Sequence, residues 1–148
     1  MPAQYAQPMR KRLIMAIIFG FSSACASSPP ALAQAAPAKA QLVLFGAHWC
    51  IPCRGEAARL PALVAAAAPA RVVVAWIDSP LALPAGLPAG QVAALPPAAA
   101  RALAETIAGP GYGLPLAASM TSAGQLCAAR PRPLRPEDIA PLLAACGQ

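Results

Sequence analysis

Two apolar runs of strand character, "LVLFG" at residues 42–46 and "RVVVAWID" at residues 71–78, bracket a stretch of helical periodicity. Both runs carry the β-branched and aromatic residues that favour a buried strand. Between them Leu60, Leu63, Val64 and Ala67 recur every three or four residues. That spacing puts them on one face, predicting a helix over 53–68 that Pro69 stops. Strand, helix and strand in so short a span imply two parallel strands joined by a right-handed crossover.

The rest of the chain extends this unit. "SPLALPAGLPAGQVAALPP" is so rich in Pro and Gly that regular structure is not expected before about Ala98. A helix over 98–108 follows, ended by Gly109 and Pro110. "LPLAASM" and "QLCAA" flank "TSAG", which reads as a hairpin turning at 121–124. Pro136, the acids Glu137 and Asp138, and Gly147 delimit a last helix over 136–146. The expected order is β-α-β-α-β-β-α, an α/β fold with a mixed sheet covered by helices. A chain of 148 residues suits one such domain, and 58% hydrophobic content supplies its core, although much of it is alanine.

The amino-terminal part has a different pattern. Arg10, Lys11 and Arg12 precede the apolar run "LIMAIIFGF" and a small-residue exit ending in "PALAQA". Charge, apolar run and small residues in that order form a secretory signal peptide over residues 1–35, cleaved after Ala33 or Ala35. Translation is then expected to begin at Met9, and residues 36–40 form a linker to a domain over 41–148. A permanent membrane anchor needs about 20 apolar residues, more than this run offers. The alternative is a lipoprotein attached through Cys25, but "SSAC" carries Ser22 where such cleavage sites usually carry leucine.

Export changes the charge and cysteine counts. Without Arg10, Lys11 and Arg12 the net charge falls from +6 to +3, eight basic against five acidic residues. The remaining arginines are scattered singly or among prolines with no interleaved aromatics, so nucleic-acid binding is not expected. Losing Cys25 leaves Cys50, Cys53, Cys127 and Cys146, an even number suited to an oxidising compartment.

Cys50 and Cys53 carry the chemistry. A cysteine at a strand end, just before a helix, meets unpaired backbone N–H groups and the positive end of the helix dipole. Both favour thiolate, which makes Cys50 the nucleophile. Cys53, one turn further on, is placed to attack a mixed disulfide at Cys50 and release the partner. Pro52 is tolerated there because the first turn has no acceptor for its missing N–H. The competing use of this spacing is half of a zinc site, whose other half would have to come from Cys127, Cys146 or His48.

"WCIPC" after a buried strand resembles the redox motif of the thioredoxin superfamily, most closely its exported TlpA-like branch, whose Cys-Arg-x-Glu continuation is matched by Cys53, Arg54 and Glu56. The resemblance implies a thioredoxin-like fold and a redox-active disulfide, with Cys50 attacking and Cys53 resolving, and no other cofactor or metal. It also implies a cis proline facing the thiols, matched by Pro115 in "GYGLP", with Trp49, Leu114 and Pro115 meeting substrate. Two departures stand out. Leu44 occupies the position of the family's buried aspartate, six residues before Cys50; Glu56 could substitute, against its plainer reading as a helix-surface acid. His48 is a second auxiliary, able when protonated to stabilise the Cys50 thiolate, against the plainer reading of an exposed side chain. Ala58 replaces the family's helix proline, and Pro61 follows three residues later, displacing any kink.

The expected function is thus a thiol:disulfide oxidoreductase exported to the periplasm, exchanging with protein thiols or disulfides and with a redox partner protein that is soluble or membrane-bound. Ile51 offers the thiolate no side-chain donor, which favours a reductase or broad-range exchanger. The alternative is a non-catalytic thioredoxin-like module that binds a partner or delivers a metal. For Cys127 and Cys146 the oxidising compartment favours a structural disulfide, with two separate buried thiols or a second relay feeding Cys53 as the rivals.

Overall fold

The computed structural model describes residues 40–147. The signal peptide expected over 1–35, with Met9, Cys25 and both cleavage positions, lies outside the described residues, as does the linker except Ala40, which is buried against the core.

Five strands form one sheet: β1 (Gln41–Gly46), β2 (Arg71–Trp76), β3 (Val92–Ala94), β4 (Leu116–Met120) and β5 (Leu126–Arg130), in the order β3-β2-β1-β4-β5. β1 pairs parallel to β2, with Leu42 opposite Val72, and β2 pairs parallel to β3. β4 runs antiparallel to β1, with Leu116 opposite Phe45, and β5 returns antiparallel to β4 through the 121–125 turn. The expected crossover and hairpin are both present in this mixed sheet.

Side-chain alternation gives the sheet two buried faces. Leu42, Leu44, Val72, Val74 and Trp76 point to one core, Val43, Phe45, Val73 and Ala75 to the other. The first face is covered by α1 (Ile51–Ala58), α2 (Leu60–Ala67) and α4 (Pro136–Ala144), which contribute Cys53, Leu60, Leu63, Val64, Ile139 and Leu142. The second is covered by α3 (Pro97–Ala108), through Ala100 and Ala104.

Two expectations need correction. The single helix over 53–68 begins at Ile51 and is broken at Arg59 into α1 and α2. Pro61 has no N–H to give the carbonyl of Ala57, so the helical ladder is interrupted there. Arg59 takes φ −95° and ψ 4°, and its N–H turns to the Glu56 carbonyl at 2.9 Å. The break therefore falls upstream of Pro61, and the element order gains a second helix after β1. The second correction is β3, inside the segment expected to be irregular. Three residues are too few to show a period, but Val72 donates to the Gln91 carbonyl and Leu95 to that of Val74, both at 2.8 Å, so the exposed edge of β2 is paired.

Candidate active site

The carboxyl ends of β1 and β2 lie side by side, with Gly46 opposite Trp76. Open α/β sheets bind their ligands at such strand ends. From Gly46 the chain makes a turn closed by the Cys50 N–H to the Ala47 carbonyl, 3.1 Å, and enters α1. Cys50 is the N-cap, with extended backbone at φ −85° and ψ 104°, and its Sγ accepts from the Cys53 N–H at 3.3 Å. One of the unpaired amides of the helix start thus points at this sulfur. Pro52, in the first turn, has no such amide to leave unpaired.

Cys50 and Cys53 are disulfide-bonded, with Cα atoms 5.2 Å apart. Cys53 is wholly buried, whereas Cys50 retains 5% of its surface. An incoming sulfur reaches Cys50 first. On either side Trp49 and Ile51 are about 70% exposed, which gives Cys50 an apolar rim. Leu114 and Pro115 directly precede β4, whose first residue pairs with Phe45, so they lie at the same end of the sheet as Cys50; the bond between them is cis.

Leu44 is buried in β1. Glu56 is not the helix-surface acid of the plainer reading, for only 1% of it is exposed. It lies one turn beyond Cys53 on the inner face of α1, where Oε1 accepts from the Leu134 N–H at 2.7 Å and Oε2 has no partner among the described residues. Burial pushes its carboxyl up to about 7, against the Leu134 N–H and the Arg59 charge, which both pull it down.

His48 is engaged by the end of β2. Asp78, just past β2, accepts from the His48 N–H at 2.6 Å through Oδ2, and its Oδ1 lies 3.0 Å from the ring Nδ1. Ser79 Oγ is 3.1 Å from the same Nδ1, and the ring sits edge-on to Trp76 with centroids 6.2 Å apart. The imidazole is thus one half of a clamp between the loop leading to Cys50 and the end of β2. Desolvation alone would raise the Asp78 carboxyl, but the bonds from His48 and Ser79 outweigh it and hold the group below its usual value.

Sequence reasoning missed Asp78, Ser79 and the Leu134 amide. Asp78 ends a strand-like run thirty residues from His48 and Ser79 follows it, and the third is a backbone group that no residue type announces. It also missed why Gly46 is required: a Cβ there would lie 2.5 Å from the Trp76 ring. Cys127 and Cys146 are bonded to each other, with Cα atoms 5.2 Å apart, and tie β5 to the end of α4.

The sequence matches no protein-family model and no curated protein. Solved structures are similar in fold. StoA from Bacillus subtilis superposes with a TM-score of 0.51 at 12% identity, over 72% of this chain and 84% of StoA. A thioredoxin-family thiol:disulfide interchange protein from Chlorobium tepidum superposes with a TM-score of 0.52 at 23% identity, over 74% of this chain and 81% of its own. Sheet order, helix placement and these likenesses together identify the domain as one of thioredoxin-like fold, with its Cys-Ile-Pro-Cys pair at the β1–α1 junction.

Proposed function

We propose that this chain is an exported thiol:disulfide oxidoreductase acting on protein cysteines. The observation that carries the reading is the asymmetry of the pair: Cys50 caps the helix with an amide on its sulfur and keeps a sliver of exposed surface, while Cys53 is wholly buried behind it. In the reduced protein the Cys50 thiolate attacks one sulfur of a substrate disulfide, forming a mixed disulfide and expelling the other substrate sulfur as thiolate. The Cys53 thiolate then attacks Cys50 Sγ, which closes the Cys50–Cys53 bond and releases the second substrate sulfur. Two electrons have passed to the substrate, and a partner protein's thiols, becoming a disulfide themselves, supply two more to the Cys50–Cys53 bond by the same steps reversed.

Glu56, a buried carboxyl poised near neutrality one turn from Cys53, is the group to take the Cys53 proton before the resolving attack. Trp49, Leu114 and Pro115 form the side that meets substrate, and His48 serves by holding the Cys50 loop. Ile51, exposed and without a donor, favours reduction or broad-range exchange. Export rests on the charge and apolar pattern of residues 10–35, and the Cys127–Cys146 bond, in a domain built for an oxidising compartment, serves to pin α4.

The test is insulin reduction with dithiol recycling, comparing the protein with Cys50→Ala and Cys53→Ala. Activity is expected to vanish in both, with substrate proteins trapped as mixed disulfides only in Cys53→Ala. Undiminished reduction by Cys50→Ala removes the enzyme reading and leaves a binding or metal-delivery module.

A further inference from the structure

The arginines that look scattered along the sequence gather in space. Residues 40–147 contain seven arginines. A cleft of about 580 Å³ opens between α1 and the loop from β5 to α4, lined by Arg59, Arg132 and Arg135 and reached by Pro52 of the redox motif. Arg54 is exposed on α1 next to the lining Gly55, and Arg130 pairs with the lining Asp138. The two arginines elsewhere, Arg71 and Arg101, are matched in number by Asp78 and Glu105. Five of the described domain's seven arginines therefore lie at or beside this cleft, against Asp138, Glu137 and the buried Glu56.

Its carboxylates do not cancel that excess. Asp138 is occupied: it accepts from the Arg135 N–H at 3.0 Å and pairs with Arg130 at 2.9 Å and Arg132 at 2.8 Å. Glu137 meets Arg135 only at 3.9 Å, with both side chains largely exposed, a pairing worth little in water. Arg59 spends one N–H on the Leu134 carbonyl at 3.4 Å. Arg54 and the outer donors of Arg132 and Arg135 face solvent.

We propose that this cleft docks an acidic segment of the protein whose disulfide is exchanged, so that partners are selected by negative charge a few residues from the reacting cysteine. The proposal rests on the thiol-exchange reading. Pro52 links the two sites: it lines the cleft and lies two residues from Cys50. An extended peptide advances about 3.3 Å per residue, so with its cysteine at Cys50 its neighbours run along or past the cleft. Arginine forks suit carboxylates bidentately, and charge complementarity of this kind acts chiefly on the rate of encounter and on the rejection of wrong partners.

The test uses three peptides of equal length, each with one cysteine in a mixed disulfide, flanked by glutamate, by serine or by lysine. Rates of reduction by the reduced protein are expected to rank glutamate over serine over lysine, spanning about tenfold at low ionic strength and converging in high salt. Arg135→Glu should abolish or invert the ranking and Arg135→Gln should narrow it, while Arg71→Glu, at the opposite end of the sheet, should leave it intact. Equal rates for all three peptides overturn the docking proposal while exchange stands. If no peptide is reduced, exchange fails instead, and anisotropy of the glutamate peptide with serine for cysteine decides the cleft separately. Salt-sensitive binding lost in Arg135→Glu upholds docking. Absence of binding, or displacement by inorganic phosphate at matched ionic strength, refutes it.

Discussion

Glu56→Gln isolates the electrostatics behind the thiols. In the folded protein the carboxyl is buried and titrates at about 7, whereas in the unfolded chain it titrates near 4.5. The folded state holds this proton more tightly. Below about pH 4.5 both states are protonated and the group makes no difference. Between 4.5 and 7 the unfolded state sheds its proton first, so stability falls as pH rises, and above 7 the full penalty for a buried carboxylate is present. The gap between those two values corresponds to about 3 kcal/mol. Glutamine keeps the shape and an oxygen for the Leu134 N–H while removing the charge; Oε2 has no partner to lose among the described residues. Urea unfolding of the oxidised proteins from pH 4.5 to 8.5 reads the effect, and the difference between them cancels every titrating group they share. The variant should match the parent at pH 4.5 and exceed it by about 3 kcal/mol at pH 8.5. Parallel profiles, or a variant advantage that shrinks as pH rises, would refute the burial argument.

Other perturbations follow from the same geometry. Gly46→Ala drives a methyl into the Trp76 ring, a contact of 2.5 Å, and should lower stability by about 1–3 kcal/mol in denaturant titrations, with Trp fluorescence altered in the native state. Replacing Cys127 and Cys146 by serine opens a loop of 19 residues and should lower stability by about 3 kcal/mol, while insulin reduction at a temperature where the variant stays folded persists. Asp78→Asn removes a carboxylate held below its usual value. Stability from such a group is present above its unfolded value and lost as pH falls through the folded one, so the variant's deficit should appear at neutral pH and fade in acid, with amide exchange at His48 faster throughout.

What the sequence determined is what neighbouring residues decide among themselves. The β1–α1–α2–β2 crossover, the hairpin at 121–125 and the start of α4 rest on side-chain period, turn residues and first-turn acids, all acting within a few residues. Cys50 as a helix cap belongs with them, because the amide on its sulfur comes from Cys53, three residues away. Local rules reached less far where one residue interrupted a long pattern, as Pro61 does at Arg59, and where a strand was too short for a period, as β3 is. Tertiary structure alone decided the environment of the thiols. Glu56 reads as a surface acid until Leu134, 78 residues later, closes over it, and water leaves its carboxyl. His48 reads as a free imidazole until Asp78 arrives beside it from the end of β2. Arg54, Arg59, Arg130, Arg132 and Arg135 read as isolated charges until α1 and the β5–α4 loop face each other across a cleft. Burial and electrostatic fields depend on distance in space, and chain order fixes that distance only within a turn or two.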